Sequence, residues 1–295
     1  MDFALLKAVS RSFYLSMVWL PSAMRRGIAL GYLLARATDS VADTSDAAPD
    51  TRIEVLQQMG QAVAGTLPAA GLAGLLHMLR TDMAAAQGNP AEALLLSRFD
   101  ECLNLLTQLP DAEKVLVQKV LATIVEGQLW DLRYFAAQST VGSDAETLRY
   151  TYMVAGCVGE FWTELGLATM GDKFCAADRR EVMVEAGIRY GRGLQLVNIL
   201  RDQEEDAARG RVYLCSDAAA WMRRAERYLA DGLDYARRLG MFRLRFTAML
   251  PAMLGLKTLR LISRRSGSAR VKISRTSVYL TLLNAAWLSA WRRVS

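Results

Sequence analysis

Histidine is nearly absent from this chain: its 295 residues hold one, His77. Zinc sites built on several histidines and a catalytic triad needing a second one therefore have little support. His77 itself lies in the run Leu75-Leu76-His77-Met78-Leu79 and reads as structural. The four cysteines, Cys102, Cys157, Cys175 and Cys215, are scattered and form no CxxC pair, which argues against a zinc knuckle or dithiol centre and fits reduced thiols in a cytoplasmic protein. Alternating β-branched runs bounded by Asn-Gly or Asp-Gly are lacking, and no 20- to 50-residue period repeats. Without a GxGxxG turn after a strand, a Rossmann site is excluded. The start, Met-Asp-Phe-Ala-Leu-Leu-Lys, has no basic region followed by an apolar block, so no secretory signal is expected. The longest uncharged apolar stretch near the end, Thr276 to Trp291, has 16 residues and includes Thr, Ser and Asn; a membrane span needs about 20.

Acidic residues are missing from one region only. Tyr235 to Ser295 contains 13 Lys or Arg and no Asp or Glu, so within the total of +6 residues 1–234 carry −7. An acidic body with a basic C-terminal fifth suits a protein that gathers cations for one task and anions for another. An arginine-rich solvated face beside an anionic membrane accounts for the same asymmetry, and with Trp287 and Trp291 it predicts peripheral contact with the inner membrane face. Nucleic acid is disfavoured as a partner, because the basic residues come without a recognised module.

What is present is helix. Hydrophobic residues make up 52% and charged residues 22%, as in a globular protein, and a compact chain of this length would remove roughly 75% of its unfolded surface from water. Apolar residues recur at intervals of three and four, which predicts helices over about 2–17, 22–43, 51–66, 71–87, 90–108, 111–137, 145–170, 177–206, 217–239, 242–264 and 274–291. Pro21, Pro49, Pro68, Pro90, Pro110, Gly142, Gly171, Gly210 and Gly267 separate them. One large domain or two closely packed ones fit the length.

Two segments share a physical pattern. In the first, Tyr32, Arg36, Asp39 and Asp43 are spaced four, three and four apart, so they share one stripe of an otherwise small or apolar helix. Asp39 and Asp43 repel at that spacing. Arg36 relieves part of the repulsion, and a divalent cation held by both would relieve more. Mg²⁺ takes carboxylate, water and phosphate oxygens and completes its shell from substrate phosphates, which makes a diphosphate the natural third party. In the second segment Gln195, Asn198, Asp202 and Asp206 repeat the stripe, with Arg201 and Glu205 beside it. A lone DxxxD is more often a solvated face. Two, each preceded by polar partners on the same stripe, are much harder to dismiss.

These residues resemble the squalene and phytoene synthase family. The resemblance is carried by Val9-Ser10-Arg11-Ser12-Phe13, by Tyr32 to Asp43, and by Tyr150-Thr151-Tyr152-Met153-Val154-Ala155-Gly156-Cys157-Val158-Gly159. It continues through Gly193 to Asp206 and Arg209-Gly210-Arg211-Val212-Tyr213-Leu214, spanning most of 5–215, and resumes more weakly at Pro251 to Leu259 and Val271 to Arg275. It implies a single all-α domain over 1–295 with the isoprenoid synthase fold, helices enclosing a central apolar cavity. It implies Mg²⁺ on Asp39, Asp43, Asp202, Glu205 and Asp206, and diphosphate binding by Ser10, Arg11, Ser12, Tyr32, Arg36, Gln195, Asn198 and Arg201. Tyr150, Arg36, Arg201, Phe13 and Tyr32 fall in the ionisation site by the same match, with Tyr152 a weaker candidate beside Tyr150. Gln128 and Asp131, in a segment resembling the family's Gly-x-x-x-Asp, border the cavity or serve helix packing.

The activity implied is head-to-head condensation of two farnesyl diphosphates through presqualene diphosphate, then NADPH-dependent reduction to squalene, with Lys272 and Arg275 meeting the cofactor phosphates. Phytoene synthesis from geranylgeranyl diphosphate, or a presqualene diphosphate or hydroxysqualene product without reduction, stands as the alternative. A catalytically dead helical relative would be expected to lose an aspartate, and both pairs are intact. The chain departs from the family at Cys215, where proline is usual, in the shortened stretch Ser216 to Trp221, and at Met153, a position that often holds tyrosine or glycine. Oligomeric state is not legible.

Overall fold

The computed structural model describes residues 3–10, 13–44, 46–264 and 273–290. Arg11, Ser12, Lys272 and Trp291 lie outside them, as do the side chains of Phe13 and Arg275. The described residues form fourteen α-helices: α1 (Phe3–Ser10), α2 (Phe13–Trp19), α3 (Ser22–Asp43), α4 (Pro49–Ala64), α5 (Ala69–Met78), α6 (Pro90–Ser97), α7 (Phe99–Thr107), α8 (Asp111–Ala137), α9 (Asp144–Thr151), α10 (Cys157–Met170), α11 (Arg180–Ala208), α12 (Ala218–Arg238), α13 (Phe242–Ser263) and α14 (Arg275–Ala290). Among them the sole strand-like pairing is a single parallel bridge between Thr140 and Val212.

Local chemistry sets the helix ends. The Asn89, Ser143 and Asp217 side chains accept backbone N–H groups at the starts of α6, α9 and α12, satisfying donors that have no partner inside the helix. Pro49 opens α4, and Gly65, at φ 75°, closes it in the left-handed conformation. Three expected helices are divided, the first of them, 71–87, by a π turn at Leu79–Met83. Residues 90–108 break at Arg98, whose φ of −111° and ψ of 23° end α6 and start α7. The stretch 145–170 is interrupted by a π turn, Tyr152–Gly156, a wider turn that often marks a functional position. His77 is exposed, so its apolar neighbours do not draw it into the core.

The chain forms two compact units: residues 1–18 with 22–134, and residues 19–21 with 135–295. In the first, α3 packs against α1, α4, α6 and α7, burying Met24, Ile28, Leu30, Leu33, Leu34, Ala37 and Val41. In the second, α11 is the central helix, contacted by α9, the π turn, α10, α12 and α13. Glycines let α10 and α11 touch backbone to backbone. A Cβ on Gly159 would lie 1.9 Å from the Gly187 carbonyl oxygen, and one on Gly191 would lie 2.2 Å from that of Ala155. The glycines of the Tyr150–Gly159 motif thus serve helix contact.

Candidate active site

The long apolar face of α3 fixes which way its polar stripe points. Tyr32, Arg36 and Asp39 are half-buried and Asp43 is exposed, so all four expected residues share one face. Arg36 does not lie chiefly on the aspartates. Its Nη2 donates to Glu92 Oε1 at 2.6 Å, while its Nη1 stands 3.7 Å from Asp39 Oδ2. Asn89 Nδ2 donates to the same Glu92 oxygen at 2.8 Å, and Ser40 Oγ to the other at 3.4 Å. Burial alone would raise the Glu92 carboxyl; the Arg36 hydrogen bond and charge, with Asn89 and Ser40, hold it below its ordinary value. Tyr32 donates its hydroxyl to the Val9 carbonyl at 3.2 Å, tying α3 to the N-terminal segment.

With Arg36 drawn to Glu92, Asp39 keeps a weak counter-charge. Burial and then the charge of Asp43 push its carboxyl up to about 6, against the hydrogen bond from Gln128 and the charge of Arg36. Gln128 Nε2 donates to Asp39 Oδ1 at 2.8 Å. Gln128 is 6% exposed, and its Oε1 is buried without a partner. An acceptor so placed beside a carboxylate can take a hydrogen from a cation-bound water.

On α11 the same residue types are wired differently. Arg201 makes a two-pronged ion pair with its neighbour Asp202. Glu205 is exposed and accepts from Arg209 Nη2 at 2.9 Å. Asn198 Nδ2 donates to Gln195 Oε1 at 3.3 Å. Burial and then Asp202 raise the Asp206 carboxyl to about 6, against Arg209 and Arg211. The segment leaving α11 is pinned by Val212, whose N–H reaches the Ser139 carbonyl and whose carbonyl accepts from Val141, each at 2.9 Å. That clamp seats Tyr213 against Tyr150, rings 4.9 Å apart and 16° from parallel, with Phe135 edge-on to Tyr213 at 5.0 Å.

Other expected residues are engaged locally. Ser10 is buried and donates to the Leu6 carbonyl within its own helix. Tyr152 donates to Glu160 Oε2 at 2.8 Å and lies under the Arg192 guanidinium at 5.4 Å. Burial and that hydrogen bond push its phenol up to about 12, so it is a hydrogen-bond donor and not a base at neutral pH. Glu92 had not been singled out in the sequence. Its one signal was the spacing Asn89 to Glu92, which marks a helix start.

Each acidic pair therefore contains one carboxylate that burial and its neighbour drive toward protonation, a state that a bound cation would relieve. The donors are all oxygen, which suits a hard cation such as Mg²⁺. Among the described residues no three His, Cys, Asp or Glu side chains converge into a complete metal cage. Two-carboxylate arms finished by water and phosphate are the arrangement that Mg²⁺ takes.

The squalene/phytoene synthase family model matches residues 6–220, and the chain belongs to that family. A bifunctional lycopene cyclase/phytoene synthase of Phaeosphaeria nodorum is 30% identical over 213 residues, 72% of this chain and 33% of that protein. A phytoene synthase of Thermus thermophilus is 30% identical over 213 residues, 72% of this chain and 57% of that one. The match thus spans a third to somewhat over half the length of these curated relatives. A ligand complex of TcSQS superposes with a TM-score of 0.74 at 20% identity, covering 97% of this chain and 87% of the other. The fold is the all-α isoprenoid synthase fold.

Proposed function

We propose that this protein is a Mg²⁺-dependent prenyltransferase joining two prenyl diphosphates head to head. The observation that carries the reading is the pair of like-charged aspartates on one helical face, present on α3 and again on α11, each with a carboxyl raised to about 6. Such pairs repel in the protein alone, and a cation held by both carboxylates would relieve the repulsion. When bound, Mg²⁺ would supply Lewis-acid neutralisation of a departing diphosphate. Asp39 and Asp43 would hold one such ion, and Asp202 and Asp206 another. Arg36 would turn from Glu92 toward diphosphate oxygens, and Arg201 would exchange Asp202 for them, since guanidinium groups match phosphate geometry. Tyr150, stacked on Tyr213, would offer a π face to an allylic cation, and the apolar interior would keep water from quenching it.

The first substrate reading is farnesyl diphosphate, condensed to presqualene diphosphate and reduced by NADPH to squalene. It rests on the likeness of Tyr150 to Glu160 and the basic tail to that branch. Its cofactor residues, Lys272 and the Arg275 side chain, lie outside the described residues, so no step is derived through the nicotinamide. The second reading, geranylgeranyl diphosphate to phytoene without NADPH, is favoured by the names of the curated relatives. Purified protein incubated with Mg²⁺ and each diphosphate, with and without NADPH, followed by product identification, separates them. Squalene formed only with NADPH supports the first; phytoene supports the second. A presqualene diphosphate or hydroxysqualene product locates the end of the reaction before reduction. No turnover of either substrate refutes the proposal.

A further inference from the structure

Helix α14 is built inside out. Thr281, Ala285 and Ser289, spaced four apart, are each fully buried, whereas Tyr279, Leu280, Leu283 and Trp287 are 66%, 58%, 69% and 62% exposed. At 100° per residue these four large side chains fall within an arc of about 100°. A surface helix of a globular protein ordinarily turns such a stripe inward.

Hydrogen bonds from α13 hold the sidedness. Lys257 Nζ donates to Thr281 Oγ1 at 2.7 Å and Ser277 Oγ at 3.3 Å, and buried Arg245 donates its Nε to the Ser289 carbonyl at 2.9 Å. Rotating α14 to hide its leucines would take the Thr281 and Ser277 hydroxyls from half-buried Lys257 and leave buried Arg245 with the Leu239 and Gly240 carbonyls alone. The same contacts show that α13 and α14 run antiparallel, which brings the exposed Arg260 and Arg264, at the end of α13, toward the start of α14.

We propose that the outer face of α14 docks on an anionic lipid surface, lying in the plane of the interface. Charge selects this occupant. The last 61 residues hold 13 Lys or Arg and no Asp or Glu, so a second copy of the segment would be repelled where an anionic headgroup layer is attracted. Tyr279 and Trp287 are residue types that settle at headgroup depth. At 1.5 Å per residue the 16-residue helix is about 24 Å long, and no described helix is long and apolar enough to cross a membrane. The helix therefore lies on the bilayer. This inference does not depend on which prenyl diphosphate is used.

The test is co-sedimentation of the full chain with phosphatidylcholine vesicles, with and without phosphatidylglycerol, at rising salt. Wild type should bind the phosphatidylglycerol vesicles and release as salt rises. The double variant Leu283→Ser/Trp287→Ser, with helix content and Tm retained because both positions are exposed, should lose at least about tenfold in partitioning. Unchanged binding by the variant, or equal binding to neutral vesicles, overturns the proposal. So does a lipid-free dimer, seen by sedimentation velocity, that the same double variant abolishes.

Discussion

Replacing Asp39 by Asn separates two consequences of one carboxylate. Burial and Asp43 raise the Asp39 carboxyl from 3.8 to about 6. A folded-state value above the unfolded one means that the folded protein holds the proton more tightly. The ionised carboxylate therefore costs stability at pH above about 6, and the cost fades as pH falls toward about 4. Two pKa units correspond to about 3 kcal/mol. Half of the Asp39 side chain is open, 50% by surface, and screening at that exposure reduces the figure to about 1–2 kcal/mol. Asn keeps the oxygen that accepts from Gln128 and removes the charge.

In EDTA at about pH 7.5, Asp39→Asn should melt about 2–4 °C above wild type by circular dichroism, given roughly 2 °C per kcal/mol for a chain of this length. The gap should shrink to about a third by about pH 4.5 and close below about pH 4, where the unfolded chain carries the proton as well. With Mg²⁺ and prenyl diphosphate the order reverses: the more stable variant should lose more than about 100-fold in turnover. A variant that melts below wild type at neutral pH, or above it by the same margin at every pH, would refute the like-charge account.

Glu92→Gln should weaken the hold on Arg36 and destabilise the fold by about 1–3 kcal/mol, read by urea unfolding; unchanged stability would show that the pair is incidental. Gln128→Leu removes a hydrogen bond that lowers the Asp39 pKa, so the acid limb of the pH–rate profile should move to higher pH, and an unmoved limb would contradict the assignment. Gly159→Ala would set a methyl 1.9 Å from the Gly187 carbonyl oxygen; α10 and α11 must part, at a cost above about 2 kcal/mol, and a melting temperature equal to wild type would refute the close approach.

The helices were legible because their signal is local. The three-and-four spacing of α3, from Met24 to Val41, states both the helix and its buried face, and Asn89-Pro90 states where α6 begins. The break at Arg98 and the π turn at Tyr152–Gly156 were not legible. Apolar periodicity continues across both, and each is decided by what packs against the chain at that point. Gly159 reads as part of a motif, but its purpose became visible only when the Gly187 carbonyl opposite it was placed.

Spacing likewise made the two acidic stripes look equivalent, and they are not. Periodicity reports which side chains share a face and says nothing of which distant residue competes for them. Glu92, 56 positions from Arg36, draws the guanidinium away and leaves Asp39 and Asp43 to repel each other. On α11 Arg201 closes on the adjacent Asp202, and Asp206 keeps a raised carboxyl that Arg209 and Arg211 relieve only in part. A cation meeting α3 finds its carboxylates already turned against each other. On α11 it must displace an arginine, and an arriving diphosphate is the group that can give that arginine a new partner.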